Sequence, residues 1–341
     1  MSRKQLEPIY MKKLLNSPTS YVDDVLEGLV AANPGFVLDG QSLRVIRRAS
    51  GAVKGKVGIA SGGGSGHLPL FTGYVGQGLL STCAIGNVFE GPNLQSCMDA
   101  ISLAEGGEGV LLLFGNYGGD KMNFAMASEM LEEEGIRTRT VLATDDIASA
   151  APDEAAKRRG VAGLIYAYKI AGAAAEAGHD LDSVAAFAQK TVEATRTIGL
   201  ALNSCIVPGS VGPTFQIADD EIEMGMGIHG EPGIWRGKLK PAGELVEEML
   251  ERLLAELPVN EGKRVSILVN GLGATPLDEL YIIFAEAKKR LDASGYTIVQ
   301  PMVGNYVTSM EMAGVSISLL ALDDELAHFL AAPADSPFWK I

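Results

Sequence analysis

The sequence predicts an α/β protein of two domains, residues 1–195 and 196–341, each with a mostly parallel sheet flanked by helices. Three observations carry this reading. Apolar runs of strand length alternate with longer stretches of helical period, and several of the runs end directly in glycine clusters. The chain of 341 residues, 47% hydrophobic and 21% charged, is also long enough to fill two ordinary cores. Strands alternating with helices are the pattern of a parallel sheet covered on both faces.

Taken in order, 56–61 reads as a strand that runs into the loop Gly62-Gly-Gly-Ser-Gly-His67, and 68–78 as a helix broken by small residues. The run 110–114 is a buried strand ending in Gly115-Asn-Tyr-Gly-Gly-Asp120, with helical period from 122 to 134. A third strand over 137–143 closes at Asp145 and Asp146, and alanine-rich stretches predict helices over 153–177 and 181–198. Past Gly199 the texture changes. A strand over 200–207 leads through a turn-rich connection into 219–228, and 240–256 is an amphipathic helix. The run 264–270 is a buried strand ending in Gly271-Leu-Gly-Ala-Thr-Pro276. Beyond it 277–291 is helical, 296–303 and 315–322 are extended, and 323–330 is a closing helix.

Composition excludes several classes of function. Lys+Arg number 28 against 42 Asp+Glu, a net charge of −14, and no segment gathers enough basic residues to track a phosphate backbone, so no nucleic-acid partner is expected. No run of about 18 uncharged apolar residues occurs and the start does not resemble a signal peptide, which predicts a cytoplasmic protein without a membrane span. Cys83, Cys97 and Cys205 lack CxxC spacing and read as reduced thiols. The acidic pairs Asp145-Asp146, Asp219-Asp220 and Asp323-Asp324 read as caps or solvated turns rather than Mg²⁺ ligands, so no metal is expected.

The four histidines can be weighed one by one. His179 and His328 lie at helix ends or on a solvated helix face. His67 and His229 instead lie in glycine clusters at expected strand ends, where ligands bind in open α/β sheets. The run 62–67 lacks the Lys-Ser or Lys-Thr of a P-loop and the GxGxxG spacing. It is either a plain tight turn or a row of backbone N–H groups facing an anion at a helix N-terminus. His67 at its mouth could exchange a proton with a bound hydroxyl near neutral pH. His229 has almost no bulk beside it, and Glu231 is placed to orient the ring. A neutral imidazole nitrogen can add to an electrophilic carbonyl; the plainer alternative is a histidine that bonds a neighbouring loop. Asp120 has two competing readings, an N-cap of the following helix or a base for a substrate hydroxyl, because the N–H bonds of a cap would lower the pKa that a base needs raised. Arg158 and Arg159 are expected to pair with Asp145 and Asp146.

Six ordered motifs carry a resemblance: Ser61-Gly-Gly-Gly-Ser-Gly-His67, Gly73-Tyr-Val-Gly-Gln-Gly78, Gly106-Gly-Glu-Gly-Val110, Asn116-Tyr-Gly-Gly-Asp120, Gly225-Met-Gly-Ile-His-Gly-Glu-Pro-Gly-Ile234 and Asn270-Gly-Leu-Gly-Ala-Thr-Pro-Leu277. Through them the chain resembles the substrate-binding K subunits of the dihydroxyacetone kinase family over nearly its whole length. The resemblance implies that His229 forms a hemiaminal with a short ketose and that His67 is the catalytic histidine beside it. Asp120 would bind and help deprotonate the accepting hydroxyl. Gly64, Ser65, Gly66 and His67, with Gly115 and Asp120, would line the substrate. It further implies a homodimer with no nucleotide on this chain; ATP or ADP with Mg²⁺ would sit on an L-type subunit, recharged in one branch by a phosphotransferase-system phosphoprotein. The chain alone would then be catalytically silent.

The family pattern is not kept throughout. Leu68-Pro69 stands where Glu-Pro is usual, Gly115 where lysine is, Gly118 where threonine is, and Cys83-Ala-Ile-Gly-Asn-Val-Phe89 replaces Cys-Pro-Gly-Glu-x-Phe. These changes remove a charge and a hydroxyl and open volume, which raises erythrulose or another C4–C5 ketose as the substrate beside dihydroxyacetone. A ketose sensor that regulates transcription without phosphoryl transfer is the non-catalytic alternative. His67 and Asp120, whose loss would mark such a sensor, are both present.

Overall fold

The structure, a computed structural model, describes residues 12–259 and 262–341. Its first sheet comprises β1 (Phe36–Asp39), β2 (Val45–Arg48), β3 (Gly58–Ser65), β4 (Thr82–Val88), β5 (Val110–Gly115) and β6 (Thr138–Ala143), in the order β1-β2-β4-β3-β5-β6. The four strands β4, β3, β5 and β6 run parallel. An antiparallel pair, β1 and β2, forms the edge. Along β5 the alternation of a strand shows why its apolar run is unbroken. Val110, Leu112 and Phe114 join Ala100, Ile101, Phe124 and Leu131 of the helices α2 (Leu94–Ala104) and α3 (Gly118–Glu133), while Leu111 and Leu113 join a second cluster on the opposite face.

The second sheet comprises β7 (Thr195–Ala201), β8 (Glu221–Met224), β9 (Trp235–Lys238), β10 (Arg264–Gly271), β11 (Thr297–Ile298), β12 (Met302–Gly304) and β13 (Gly314–Ala321). Its order is β11-β10-β13-β7-β8-β9, with β12 also on β10. The α/β class is as expected, and a parallel core is found in the first sheet. In the second, β10–β13, β13–β7, β7–β8 and β8–β9 are antiparallel, and only β11 and β12 lie parallel to β10. An apolar run covered on both faces reads the same whichever way its neighbours point, so periodicity carried no information about this direction. Helices α6 (Ala242–Glu256) and α7 (Leu277–Ala293) cover one face with Leu245, Met249, Leu253, Leu280 and Ala287.

Helix α4 (Leu164–Glu176) joins the two halves. It is buried from Leu164 to Ala175, the all-round apolar pattern of a helix with no solvent face. Tyr168 Oη lies 2.6 Å from Ser61 Oγ of β3, and Tyr166 Oη lies 3.0 Å from Ser266 Oγ of β10. One helix therefore hydrogen-bonds to both sheets, and α5 (Leu181–Ala194) and α8 (Asp324–Ala331) pack into the same cluster.

Several expected elements shift. The 68–78 segment is not a helix but a succession of turns, with one 3-10 turn at Thr72–Tyr74. Its small residues admit the hairpin β14 (Asp335–Ser336) and β15 (Trp339–Lys340): a Cβ on Gly76 would lie 2.2 Å from the Asp335 carbonyl oxygen. The helix expected over 153–177 resolves into a short 3-10 turn at Pro152–Lys157 and α4. Between them the Asp145 carboxylate accepts the N–H groups of Val161 and Gly163 and turns the chain. The helix expected to reach 198 ends at Ala194, and β7 starts at the buried β-branched Thr195, ahead of the strand expected from 200. Helix α1 (Tyr21–Ala32), β1 and β2 had no counterpart in the sequence reading. All three cysteines are buried and free. No described helix is long and apolar enough to cross a membrane, and the described residues hold no cluster of three or more potential metal ligands.

Candidate active site

His67 sits just past β3. Gly62, Gly63 and Gly64 are strand rather than loop, because other residues cross them closely, and Gly66 turns the chain with a φ of 98°. A Cβ on Gly63 would lie 2.1 Å from the Phe71 ring, and one on Gly64 would lie 2.8 Å from the Glu90 nitrogen. No helix follows, so the reading of 62–67 as an anion cradle at a helix N-terminus is corrected. The glycines make room for aromatic side chains and for the loop after β4.

The His67 ring is 1% exposed. Its Nδ1 lies 2.7 Å from the Thr308 carbonyl oxygen, which can only accept, so Nδ1 carries the proton. Nε2 is left as a buried lone pair without a partner. Burial, and secondarily the neighbouring His229, pull the pKa down to about 3, so the ring is neutral at working pH.

His229 lies in the loop between β8 and β9. Its Nδ1 is 3.0 Å from Glu231 Oε1, and its backbone N–H donates to Glu231 Oε2 at 2.9 Å. Burial alone would raise the Glu231 carboxyl, but the hydrogen bond and charge of His229, with the charge of Arg159, outweigh it and hold the pKa at about 2. Facing an ionised carboxylate, Nδ1 is the protonated nitrogen and Nε2 the one with a lone pair. The two histidines, one from each sheet, meet edge to face with centroids 4.8 Å apart at 77°. Phe89 stacks on His67 at 4.9 Å, and Tyr117 stands edge-on to His229 at 4.9 Å and 85°. Tyr117 in turn donates to the Gly160 carbonyl at 3.1 Å. The join is pinned by Thr308 Oγ1 donating to the Leu68 carbonyl and Ser309 Oγ to that of Ile228.

Asp120 is the third residue of α3. The cap position is Tyr117, which makes no side-chain capping bond, so the N-cap reading of Asp120 is not met. Its Oδ1 is buried with no partner, closely backed by Gly91, where a Cβ would lie 2.4 Å away. Burial raises the carboxyl to about 7, against the opposing charge of His229. That is the range of a working general base or acid.

Of the remaining expected residues, Gly64 and Gly66 pack against Phe89 and its neighbour Glu90. Ser65 and Gly66 line a separate cavity of 370 Å³ with Leu68, Thr308 and Met310, which neither histidine lines. Gly115 lies under Tyr117, whose ring a Cβ would meet at 2.9 Å. Arg159 pairs with Asp146 as expected, whereas Arg158 pairs with Glu256. Phe89, Tyr117 and Thr308 were not singled out from sequence. The first two had a usable signal, a large aromatic ring beside a glycine cluster.

A free imidazole nitrogen oriented by a carboxylate, a second neutral imidazole and a carboxyl that titrates near neutrality together form equipment for adding to a carbonyl and moving a hydroxyl proton. Residues 27–338 match the Dak1 domain, and the chain belongs to that family. It is 42% identical over 330 residues to the dihydroxyacetone-binding subunit DhaK of a PTS-dependent dihydroxyacetone kinase of Listeria innocua, covering 96% of this chain and 100% of that subunit. It is 41% identical over 334 residues to the L-erythrulose 1-kinase of Mycolicibacterium smegmatis, covering 97% of this chain but 58% of that enzyme. Among solved structures, the dihydroxyacetone kinase of C. freundii superposes with a TM-score of 0.88 at 32% identity, over 96% of this chain and 60% of that one. The chain thus spans under two thirds of the two longer kinases and the full length of the Listeria subunit.

Proposed function

We propose that this chain is the ketose-binding part of a dihydroxyacetone-type kinase, a phosphotransferase acting on an alcohol group. The observation that carries the reading is the His229–Glu231 pair, which leaves Nε2 as the free nitrogen beside His67. Nε2 adds to the ketose carbonyl carbon. A C–N bond forms, the carbonyl electron pair moves to oxygen, and that oxygen takes a proton from solvent. The positive charge left on the ring faces the Glu231 carboxylate. A triose offers few atoms and little binding energy, and a reversible covalent bond both supplements it and rejects polyols that lack a carbonyl. Asp120, as carboxylate, accepts the proton of the terminal hydroxyl while that oxygen attacks the phosphoryl group.

The donor, ATP or ADP with Mg²⁺, belongs in this reading to a separate L-type subunit, which a phosphotransferase-system phosphoprotein can recharge, and the chain acts as a cytoplasmic homodimer. The likeness to a dihydroxyacetone-binding subunit of a PTS-dependent kinase, matched over that subunit's full length, supports such a division. A second substrate, erythrulose or another C4–C5 ketose, is favoured by the 41% identity to the L-erythrulose 1-kinase of Mycolicibacterium smegmatis. The presence of both His67 and Asp120 favours catalysis over a purely sensory role.

The test is native mass spectrometry and ¹³C NMR with dihydroxyacetone and erythrulose labelled at the carbonyl carbon. A 1:1 adduct with a tetrahedral carbon is expected in the wild type and absent from His229→Ala. A wild type that forms no adduct with any C3–C5 ketose refutes the covalent role.

A further inference from the structure

The carboxylate that orients His229 is itself held from behind. Arg159 lies in the connection between β6 and α4, outside the His229 loop. Its Nε donates to Asp146 Oδ2 at 2.9 Å and its Nη2 lies 2.8 Å from the same oxygen. Nη2 also reaches the Gly225 carbonyl at 3.5 Å, and Nη1 lies 3.7 Å from Glu231 Oε2. Asp146 is 3% exposed and also accepts from the Ala148 N–H, so the anchor at the far end is rigid. The loop backbone is fitted to this pair: a Cβ on Gly227 would lie 2.2 Å from Glu231 Oε2 and 2.5 Å from Arg159 Nη1.

We propose that Arg159 is a positioning residue for the nucleophile, fixing the Glu231 carboxylate on Nδ1 of His229 so that Nε2 remains the bare nitrogen. The proposal deepens the covalent reading of His229 and rests on it for its catalytic meaning. Glu231 carries one Oε on the His229 ring and the other on the backbone N–H of the same residue. Neither contact reaches outside the loop, so alone they would let carboxylate and ring turn together. Arg159 ties the pair to Asp146, which bridges to Thr197 of β7 and so lies outside the His229 loop. The other titratable groups bearing on the pair are Tyr117, His67 and Asp120 on the ring side and Asp145 beside Asp146. Tyr117 and His67 are neutral there, so Arg159 is the positive charge that reaches Glu231 from outside the His229 loop.

The experiment needs no ketose for its first readout. Long-range ¹H–¹⁵N correlation spectra of the His229 ring are compared for wild type, Arg159→Lys, Arg159→Met and Asp146→Asn. The Nδ1–H tautomer is expected to dominate in wild type. The Nε2–H form should grow several-fold in Arg159→Met and less in Asp146→Asn, with Arg159→Lys restoring most of the wild-type pattern. The rate of adduct formation should fall in Arg159→Met by the factor by which the Nδ1–H population falls. An unchanged tautomer ratio and rate in Arg159→Met overturns the proposal; should that variant not fold, an unchanged ratio in Asp146→Asn does so. A shifted tautomer in a protein whose wild type forms no adduct supports Arg159 as the orienting residue while removing the covalent reading, so the two failures are separable.

Discussion

A base held at a pKa of about 7 costs stability, and Asp120→Asn measures how much. The Asp120 carboxyl is 7% exposed and is raised by burial from 3.8 to about 7. Between those pH values the folded chain holds a proton that the unfolded chain has released. The proton difference, unfolded minus folded, is therefore negative, and wild-type stability falls as pH rises through the window. At about 1.4 kcal/mol per unit, a shift of roughly three units is worth ~4 kcal/mol at pH 8, an upper bound because the site can relax and admit water. Asparagine keeps the shape and has no proton to lose. Urea unfolding of wild type and Asp120→Asn at pH 4, 6 and 8 should show near-equal stabilities at pH 4 and a variant stabilised by about 2–4 kcal/mol at pH 8. Phosphoryl transfer with the partner should be lost while the ketose adduct survives. A stability difference that does not grow with pH would refute the desolvated-carboxyl argument, and full retained turnover would exclude Asp120 as the base.

Two further tests probe other causes. Gly63→Ala forces a methyl to 2.1 Å from the Phe71 ring and should cost about 1–3 kcal/mol, whereas Gly118→Ala, with nothing within 4 Å in the first turn of α3, should gain up to about 1 kcal/mol. Equal thermal shifts in the two variants would contradict the close-packing account of the glycine run. Lys169 is buried, with Nζ donating to the Phe329 carbonyl at 2.6 Å, and burial lowers its pKa from 10.5 to about 8. Between these values the unfolded chain binds the extra proton, so stability should rise with pH across that window in wild type and lose the rise in Lys169→Met. A rise that persists in the variant would assign it elsewhere.

Much of this molecule is legible in the sequence, and the parts that are not share a reason. Strands such as β5 and β10 and the helices α6, α7 and α8 stand close to their expected bounds because each is coded by its own period and end signals. The direction of the second sheet is not so coded, and neither is the path of 68–78, which depends on a C-terminal hairpin more than 250 residues away in sequence. The same split runs through the site. His67, His229, Glu231 and Asp120 announce themselves by chemistry beside glycine. The purpose of the glycines was misread: those of β3 make way for Phe71 and the backbone at Phe89–Glu90, and Gly227 for Glu231 and Arg159. What a missing side chain makes room for is a tertiary fact. Gly118 and Gly119, which do open onto space, look no different in sequence.

Burial between the two sheets also divides labour between the histidines, which residue type alone leaves equal. Both have a lone pair on Nε2 and a proton on Nδ1, and their rings touch. Addition to a carbonyl, however, leaves the attacking ring positively charged. The Nδ1 partner of His67 is a neutral carbonyl, and the ring is so desolvated that its pKa is about 3, so a cation there would be opposed by the whole environment. The Nδ1 partner of His229 is a carboxylate kept ionised down to about pH 2. Only at His229 is the charge of the adduct matched by a charge already in place, which is the form of preorganisation that lowers a barrier without further movement. In the proposed reaction His67 is then confined to what a weakly basic, neutral ring can do, accepting a hydrogen bond from the ketose through Nε2 while the terminal hydroxyl meets Asp120.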